Sequence, residues 1–176
     1  MNRAFRVIFD SSCDLEFITF KEKDSEQYLT FFQPIKHYDH YYLPPTTLTI
    51  KGKDSIKKLY NVLIYLDRKY DFSQSYVPIK ESATMPITPD GADHPIVYFT
   101  HRRSTFKFVE SDNVIKGGGY KPTKQISADT DVIKRLYNLL QHVYGMPISM
   151  RPRNREDNVE EVKNEEVKKS GWEILK

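Results

Sequence analysis

Asp54-Ser-Ile-Lys-Lys-Leu-Tyr-Asn-Val-Leu63 and Asp131-Val-Ile-Lys-Arg-Leu-Tyr-Asn-Leu-Leu140 share seven of ten residues, and Lys/Arg and Val/Leu account for two of the three differences. The offset between them is 77 residues. Both segments are amphipathic at the helical period. Ile56, Leu59, Tyr60, Leu63 and Leu66 form one apolar face in the first, and Ile133, Leu136, Tyr137, Leu140 and Val143 form it in the second. Two helices of like pattern could resemble each other by chance, so the residues ahead of them decide the matter. Carried backward, the offset places Pro45-Thr46 on Pro122-Thr123 and Tyr28-Leu-Thr-Phe-Phe-Gln33 on Thr105-Phe-Lys-Phe-Val-Glu110. With a small shift, Ile18-Thr-Phe20 matches Ile96-Val-Tyr98. The whole unit is therefore read as repeated.

Each unit reads as strands closed by a helix. In the first, Phe5 to Asp10 is a short apolar run and Leu15 to Lys23 alternates apolar with polar residues. Tyr28 to Ile35 is aromatic-rich, and Tyr41 to Ile50 ends in Thr-Leu-Thr-Ile. These are strand signatures. Pro44-Pro45 demotes its portion of the fourth strand to an edge or a bulge. Asp24-Ser25-Glu26 and His37-Tyr38-Asp39-His40 read as polar connections, and a helix follows from about Lys53 to Tyr70.

In the second unit the expected strands are Pro95 to His101, Thr105 to Glu110 and Val114 to Ile126, with another around Ser82 to Thr88. Ser127-Ala-Asp129 signals the helix start, and Gly145 followed by Pro147 signals its end. The fold class is α+β: an internal duplication of a ββββα unit, giving two antiparallel four-stranded sheets with two packed helices. The expected domain spans 1–150, with repeats at about 3–72 and 78–150.

From Arg151 onward the text changes to alternating blocks of charge, seven basic and seven acidic side chains from Arg151 to Lys176, and it closes with Gly171-Trp-Glu-Ile-Leu-Lys176. Residues 151–176 read as a solvated helix or a disordered tail. Trp172, Ile174 and Leu175 are the exceptions, and they suit docking on the protein's own core, a sister subunit or another partner.

Composition narrows the function classes. A single cysteine, Cys13, rules out an internal disulfide framework and a multi-cysteine zinc site. The N-terminus lacks a signal-peptide core and no run approaches the ~20 apolar residues of a membrane span. A cytoplasmic protein is expected. Neither Lys116-Gly-Gly-Gly-Tyr-Lys121 nor His37 with His40 fits a chemical motif. The first lacks the Gly-Lys-Ser/Thr ending of a phosphate loop, and the histidines have neither helical nor same-face strand spacing. No catalytic signature is present, so neither an enzyme nor a cofactor is expected.

The net charge is only +3, but between Tyr98 and Lys124 six basic residues stand against two acids. Aromatic and basic residues interleave in Phe20-Lys21-Glu22-Lys23, in Ile35-Lys36-His37-Tyr38, and from Tyr98 through Arg102-Arg103 to Phe106-Lys107-Phe108. Rings that stack on bases beside cations that track phosphates are what single-stranded nucleic acid requires. The same residues also suit a core with lysine-protected edges.

Leu29-Thr-Phe-Phe-Gln-Pro34, Tyr38 to Tyr42, Leu48-Thr-Ile50 and the run from Tyr98-Phe to Thr123 resemble the Whirly family, over about Arg3 to Met150. The doubled architecture also resembles its guide-RNA-binding mitochondrial relatives, single-unit transcription coactivators and Pur-alpha repeats. The family's lysine-glycine-lysine-alanine motif is absent here. The resemblance implies sequence-tolerant binding of single-stranded DNA, no cofactor and a symmetric homo-oligomer. It carries over Phe20, Lys21, Phe32, Lys36, Tyr98, Arg102, Lys107 and Lys121 as contact residues, to which the local pattern adds Arg103. The alternative is a protein-interaction module, such as a viral inhibitor of a host factor, using a sheet face or the Trp172 tail.

Overall fold

Strand-forming alternation and two helical stripes become, in the computed structural model, an α+β arrangement of antiparallel sheets and two helices. The structure describes residues 2–89, 95–112, 121–145 and 160–162. The first half contains β1 (Arg3–Ile8), β2 (Phe17–Lys23), β3 (Glu26–Gln33), β4 (Lys36–His37), β5 (Tyr42–Leu43), β6 (Thr46–Lys51) and α1 (Lys53–Tyr70). The second contains β7 (Ser82–Pro86), β8 (Ile96–Arg102), β9 (Thr105–Asp112), β10 (Lys121–Ala128) and α2 (Thr130–Tyr144), followed by β11 (Glu160–Glu161). One sheet runs β11-β1-β2-β3-β6 and the other β10-β9-β8-β7.

Local chemistry explains the punctuation. Asp24 and Ser25 both take positive φ in the two-residue turn between β2 and β3, which matches the twist of a tight hairpin. Pro44 and Pro45 cannot donate to a ladder, and they split the expected fourth strand into β5 and β6. β4 and β5 thereby form a separate two-stranded hairpin, where the sequence suggested only a polar connection. Gly52, at φ 103°, turns β6 into α1, a conformation that other residues adopt only with strain. Asp129 caps α2 by accepting from the Val132 N–H at 2.9 Å, and the Gly145 N–H closes the other end on Gln141 O at 2.7 Å.

The apolar faces behave as their spacing dictates. Ile56, Leu59, Leu63 and Leu66 of α1 and Ile133, Leu136, Tyr137, Leu140 and Val143 of α2 are all buried. They join Ile18, Phe20, Leu29, Phe31, Leu48 and Ile50 from the first sheet and Phe99, Phe106, Phe108 and Ile126 from the second in one contiguous core. Three pairs separated by 77 residues touch one another. The rings of Phe31 and Phe108 lie 4.4 Å apart, those of Tyr60 and Tyr137 lie 5.9 Å apart, and Lys124 Nζ donates to Thr47 O at 3.0 Å.

Two expectations need correction. Ile18 and Phe20 do not correspond to Ile96 and Tyr98. Ile18 lies opposite Phe31, whereas Phe99 is the residue opposite Phe108, and Ile96 and Tyr98 point to the other side of their strand. A shift of odd parity exchanges the two faces of a strand, so the apparent match paired core with surface residues. The second correction concerns the tail. Glu160 and Glu161 pair with Arg6 and Phe5, making the first sheet five-stranded, and Val162 is buried with its N–H on Ala4 O at 2.9 Å. Trp172 and the glycine run at 117–119 lie outside the described residues.

Candidate nucleic-acid interface

With one face of the first sheet committed to the core, strand alternation fixes what the other face presents. In register across β1, β2, β3 and β6, one row reads Ile8, Phe17, Phe32, Thr47. The next reads Arg6, Thr19, Thr30, Thr49, of which Thr19 and Thr30 are buried, and the third Ala4, Lys21, Tyr28, Lys51, of which Ala4 is buried. Phe17 and Phe32 stack with centroids 5.1 Å apart, and Ile8 beside them is 47% exposed. Lys51 Nζ sits 5.8 Å from the Tyr28 ring centre, and the Thr30 and Thr49 hydroxyls meet at 3.1 Å. Among the described side chains on this face the only acid is Glu26, across from Lys23 at the hairpin end. The surface therefore combines three partly buried rings with four basic residues, of which Lys23 and Lys51 are exposed while Arg6 and Lys21 are partly buried.

The second sheet offers a leaner version. Its outer rows run Pro86, Tyr98, Val109, Gln125 and then Thr84, Thr100, Lys107, Ser127, with Arg102 at the end of β8. Between the sheets, where Lys124 reaches Thr47, lies a groove of about 680 Å³ bordered by Gln33, Pro44, Pro45, Thr47, Lys124 and Gln125. Its walls are mostly amides, hydroxyls and proline rings.

No family model, curated protein or solved structure matches the chain.

The residues singled out from sequence separate into distinct places. Lys21 and Phe32 share the first sheet's outer face, while Tyr98, Arg102 and Lys107 lie on the second's. Arg103, exposed and at φ 56°, forms the turn between β8 and β9. Lys121 begins β10 opposite Asp112, and its side chain lies outside the description. Phe20 is a correction. It is fully buried, with Phe5 at 6.4 Å, Tyr144 at 6.2 Å and the Arg3 guanidinium at 5.6 Å, so no base can reach it. Phe20 and Lys21 are neighbours on one strand and face opposite sides, so only one of them can meet solvent.

Lys36 is engaged elsewhere. Its Nζ donates to the carbonyls of Ser11, at 2.9 Å, and Cys13, which pins the β1–β2 connection. Sequence reasoning missed Arg6, Phe17, Tyr28 and Lys51. The signal for Phe17 and Tyr28 was available in their parity, since each lies an even number of residues from Lys21 or Phe32 on the same strand.

The ionisable groups nearby are structural. Glu22 is held below the ordinary carboxylate range chiefly by the Gln27 amide at 2.6 Å, and also by Arg3 at 2.9 Å. Burial, and then the charge of Asp129 and Asp10, push the Cys13 thiol up, which favours its protonated form. Among the described residues no three His, Cys, Asp or Glu side chains converge as a metal site would require. Among the described residues no helix is long and apolar enough to cross a membrane.

Proposed function

We propose that this chain binds single-stranded nucleic acid, DNA or RNA, with little sequence preference, on the outer face of its first sheet, the face turned away from the helices. The observation that carries this reading is the stacked Phe17–Phe32 pair on the same face as Arg6 in the next row and Lys21, Tyr28 and Lys51 in the row beyond it. Ring faces accept any base and cations accept any phosphate, so such a surface favours unpaired strands over duplex.

The two halves are read as copies of one ββββα unit about a two-fold axis. Support comes from the 77-residue sequence repeat and from the counterpart contacts Phe31–Phe108, Tyr60–Tyr137 and Thr47–Lys124. That architecture is the ground for retaining a Whirly-type relationship, with a homo-oligomer acting in the cytoplasm in replication, recombination or transcription.

The test is fluorescence anisotropy with a labelled 30-mer ssDNA, its RNA equivalent and a duplex. The expected result is a preference for single strands and affinity that falls steeply with salt, as counterion release requires. Binding that ignores salt, or no binding in low salt, overturns the reading.

A protein-binding reading is favoured by one observation. β7 ends its sheet with its outer edge unpaired among the described residues, whereas the outer edge of β1 is covered by β11. An extended peptide could add there as a strand. One dominant partner captured in a manner that survives nuclease would favour that role.

A further inference from the structure

An edge strand offers a row of backbone donors and acceptors that another strand can take. The first sheet shows how this chain covers one such edge. Glu160 and Glu161 pair with Arg6 and Phe5 of β1, and the Val162 N–H donates to Ala4 O at 2.9 Å, with Val162 buried. In sequence the covering segment is Glu160-Glu-Val-Lys163, and after Asn164 the same four residues return as Glu165-Glu-Val-Lys168. One copy of this strand is seated on β1. The other is surplus to it.

β7 holds in the second sheet the place that β1 holds in the first. It is antiparallel to the next strand, and Met85, like Val7, packs on the core. Among the described residues nothing pairs with its other side. Ladder parity identifies the groups that wait there. The Ile87 N–H donates to Val97 O at 2.7 Å and the Arg103 N–H to Glu81 O at 3.2 Å, so the odd-numbered residues bond to β8. Ser82 and Thr84 therefore turn both N–H and C=O outward, and β7 has no charged side chain to discourage pairing.

A second observation points to an acidic strand. With Val167 opposite Ser82, as Val162 is opposite Ala4, Glu165 falls opposite Thr84 and Glu166 opposite Ala83. On its other side Ala83 is in register with His101, which is 2% exposed and whose Nδ1 has no hydrogen-bond partner. Two strand spacings are about 9–10 Å, a gap that a glutamate and an imidazole can close between them over a methyl group.

We propose that β7 of one copy of this chain accepts Glu165-Glu-Val167 from the tail of a second copy as the fifth strand of its sheet. This rests on the reading of β7 as an open, strand-accepting edge and is independent of nucleic-acid binding. Only Lys163 and Asn164 separate the two tail segments, and the step from Val162 to Glu165 spans about 10 Å of extended chain. That ties the surplus segment to the neighbourhood of β1, whereas β1 and β7 lie at the ends of their sheets away from the junction of β6 with β10. Each copy thus brings one donor and one acceptor, which assembles head to tail or closes by reciprocal exchange. Three residues of ladder fall well short of the ~800 Å² per partner of a stable interface, so the association is transient and depends on concentration.

The experiment is sedimentation velocity of the full chain over a wide range of concentration, beside two variants. Thr84→Pro removes an outward N–H and no backbone bond to β8, and Glu165→Pro/Val167→Pro removes both donors of the incoming strand while leaving Glu160–Val162 in place. The wild type is expected to self-associate as concentration rises, and each variant to stay monomeric. An equimolar mixture of the two variants should form a heterodimer and nothing larger, because one then supplies only a tail and the other only an edge. That result does not depend on how well β7 tolerates proline, since the edge used belongs to the other variant. A wild type that stays monomeric overturns the proposal and leaves β7 open only to a foreign peptide. A mixture that stays monomeric while the wild type associates overturns the exchange between copies. Association lost in Thr84→Pro but kept in Glu165→Pro/Val167→Pro overturns the tail as occupant and leaves the edge reading standing. Association kept in both variants places the contact elsewhere and overturns the proposal together with the role of the edge in self-assembly.

Discussion

Phe31 and Phe108 meet in the core with ring centroids 4.4 Å apart and an interplanar angle of 32°, both fully excluded from water. They lie on β3 and β9, 77 residues apart, the same separation as Thr47 and Lys124. The contact joins the two sheets at the point where the halves meet, and its energetic consequence is direct. Phe31→Ala and Phe108→Ala should each cost about 3–5 kcal/mol in urea unfolding. The double variant should cost less than the sum by about 0.5–1.5 kcal/mol, the coupling of an aromatic pair. Strict additivity would mean that the ring contact contributes nothing specific.

On the outer face the expected losses are of binding more than of stability. Phe17→Ala and Phe32→Ala should each weaken single-strand affinity by about 1–3 kcal/mol, and should lower the melting temperature less than Phe20→Ala does, because both rings are only partly buried. Lys21→Gln and Lys51→Gln should each lower the slope of log affinity against log salt by about 0.7 if they neutralise one phosphate. Phe20→Ala, one position from Lys21 but buried, should instead destabilise the fold by about 3–5 kcal/mol.

That contrast marks how far the sequence could be read. The helices were legible in detail because Ile56, Leu59, Leu63 and their counterparts repeat at a period no strand shares. Strands were legible as segments, but the faces they turn to solvent were not. The run Phe17-Ile-Thr-Phe-Lys-Glu-Lys23 has apolar residues on both faces, since Phe17 and Phe20 differ by an odd number, and only pairing with β1 and β3 decides which is inside. Lys36 was beyond reach for another reason. Its partners are backbone carbonyls of Ser11 and Cys13, and carbonyls leave no trace in residue identity. The strand at Glu160–Glu161 was hidden by its charge, which resembles that of a solvated tail.

Acid should expose a network at the rim of the first sheet. Glu22 accepts from Gln27 and Arg3, Gln27 Oε1 accepts from the Tyr144 hydroxyl, and Arg3 also reaches Val143 O at 3.3 Å. Because the Glu22 carboxyl is held below its ordinary value of 4.5 in the folded state, its stabilisation is fully present above that value. It is lost as pH falls through the lowered one. Urea midpoints measured from pH 6 to pH 3 should therefore fall more steeply for the wild type than for Glu22→Gln. Parallel curves would mean that the network is not linked to protonation.

Lys36→Met should release the β1–β2 connection without unfolding the sheets. Hydrogen exchange is expected to accelerate in residues 10–14 and in the 36–43 hairpin, while amides of β3 and α2 keep their protection. Equal acceleration everywhere would show that the lysine supports global stability instead of a local brace.

Asp129→Ala should cost about 0.5–2 kcal/mol by leaving the Val132 N–H without its acceptor. Gly52→Ala should cost about 1 kcal/mol or more through φ alone, since space for the methyl group is open. Thermal unfolding of both variants checks the two figures.

The pairing of Phe5 and Arg6 with Glu161 and Glu160 sets an order on events in the cell. During synthesis at ~5–20 residues per second, β1 leaves the ribosome roughly ten to thirty seconds before the segment that covers its edge. For that interval the first sheet has a bare border beside Ile8 and Phe17, where another nascent chain or a chaperone can attach. A chain interrupted before Glu160 would keep that border permanently, and its fate would be decided by aggregation more than by any loss of core.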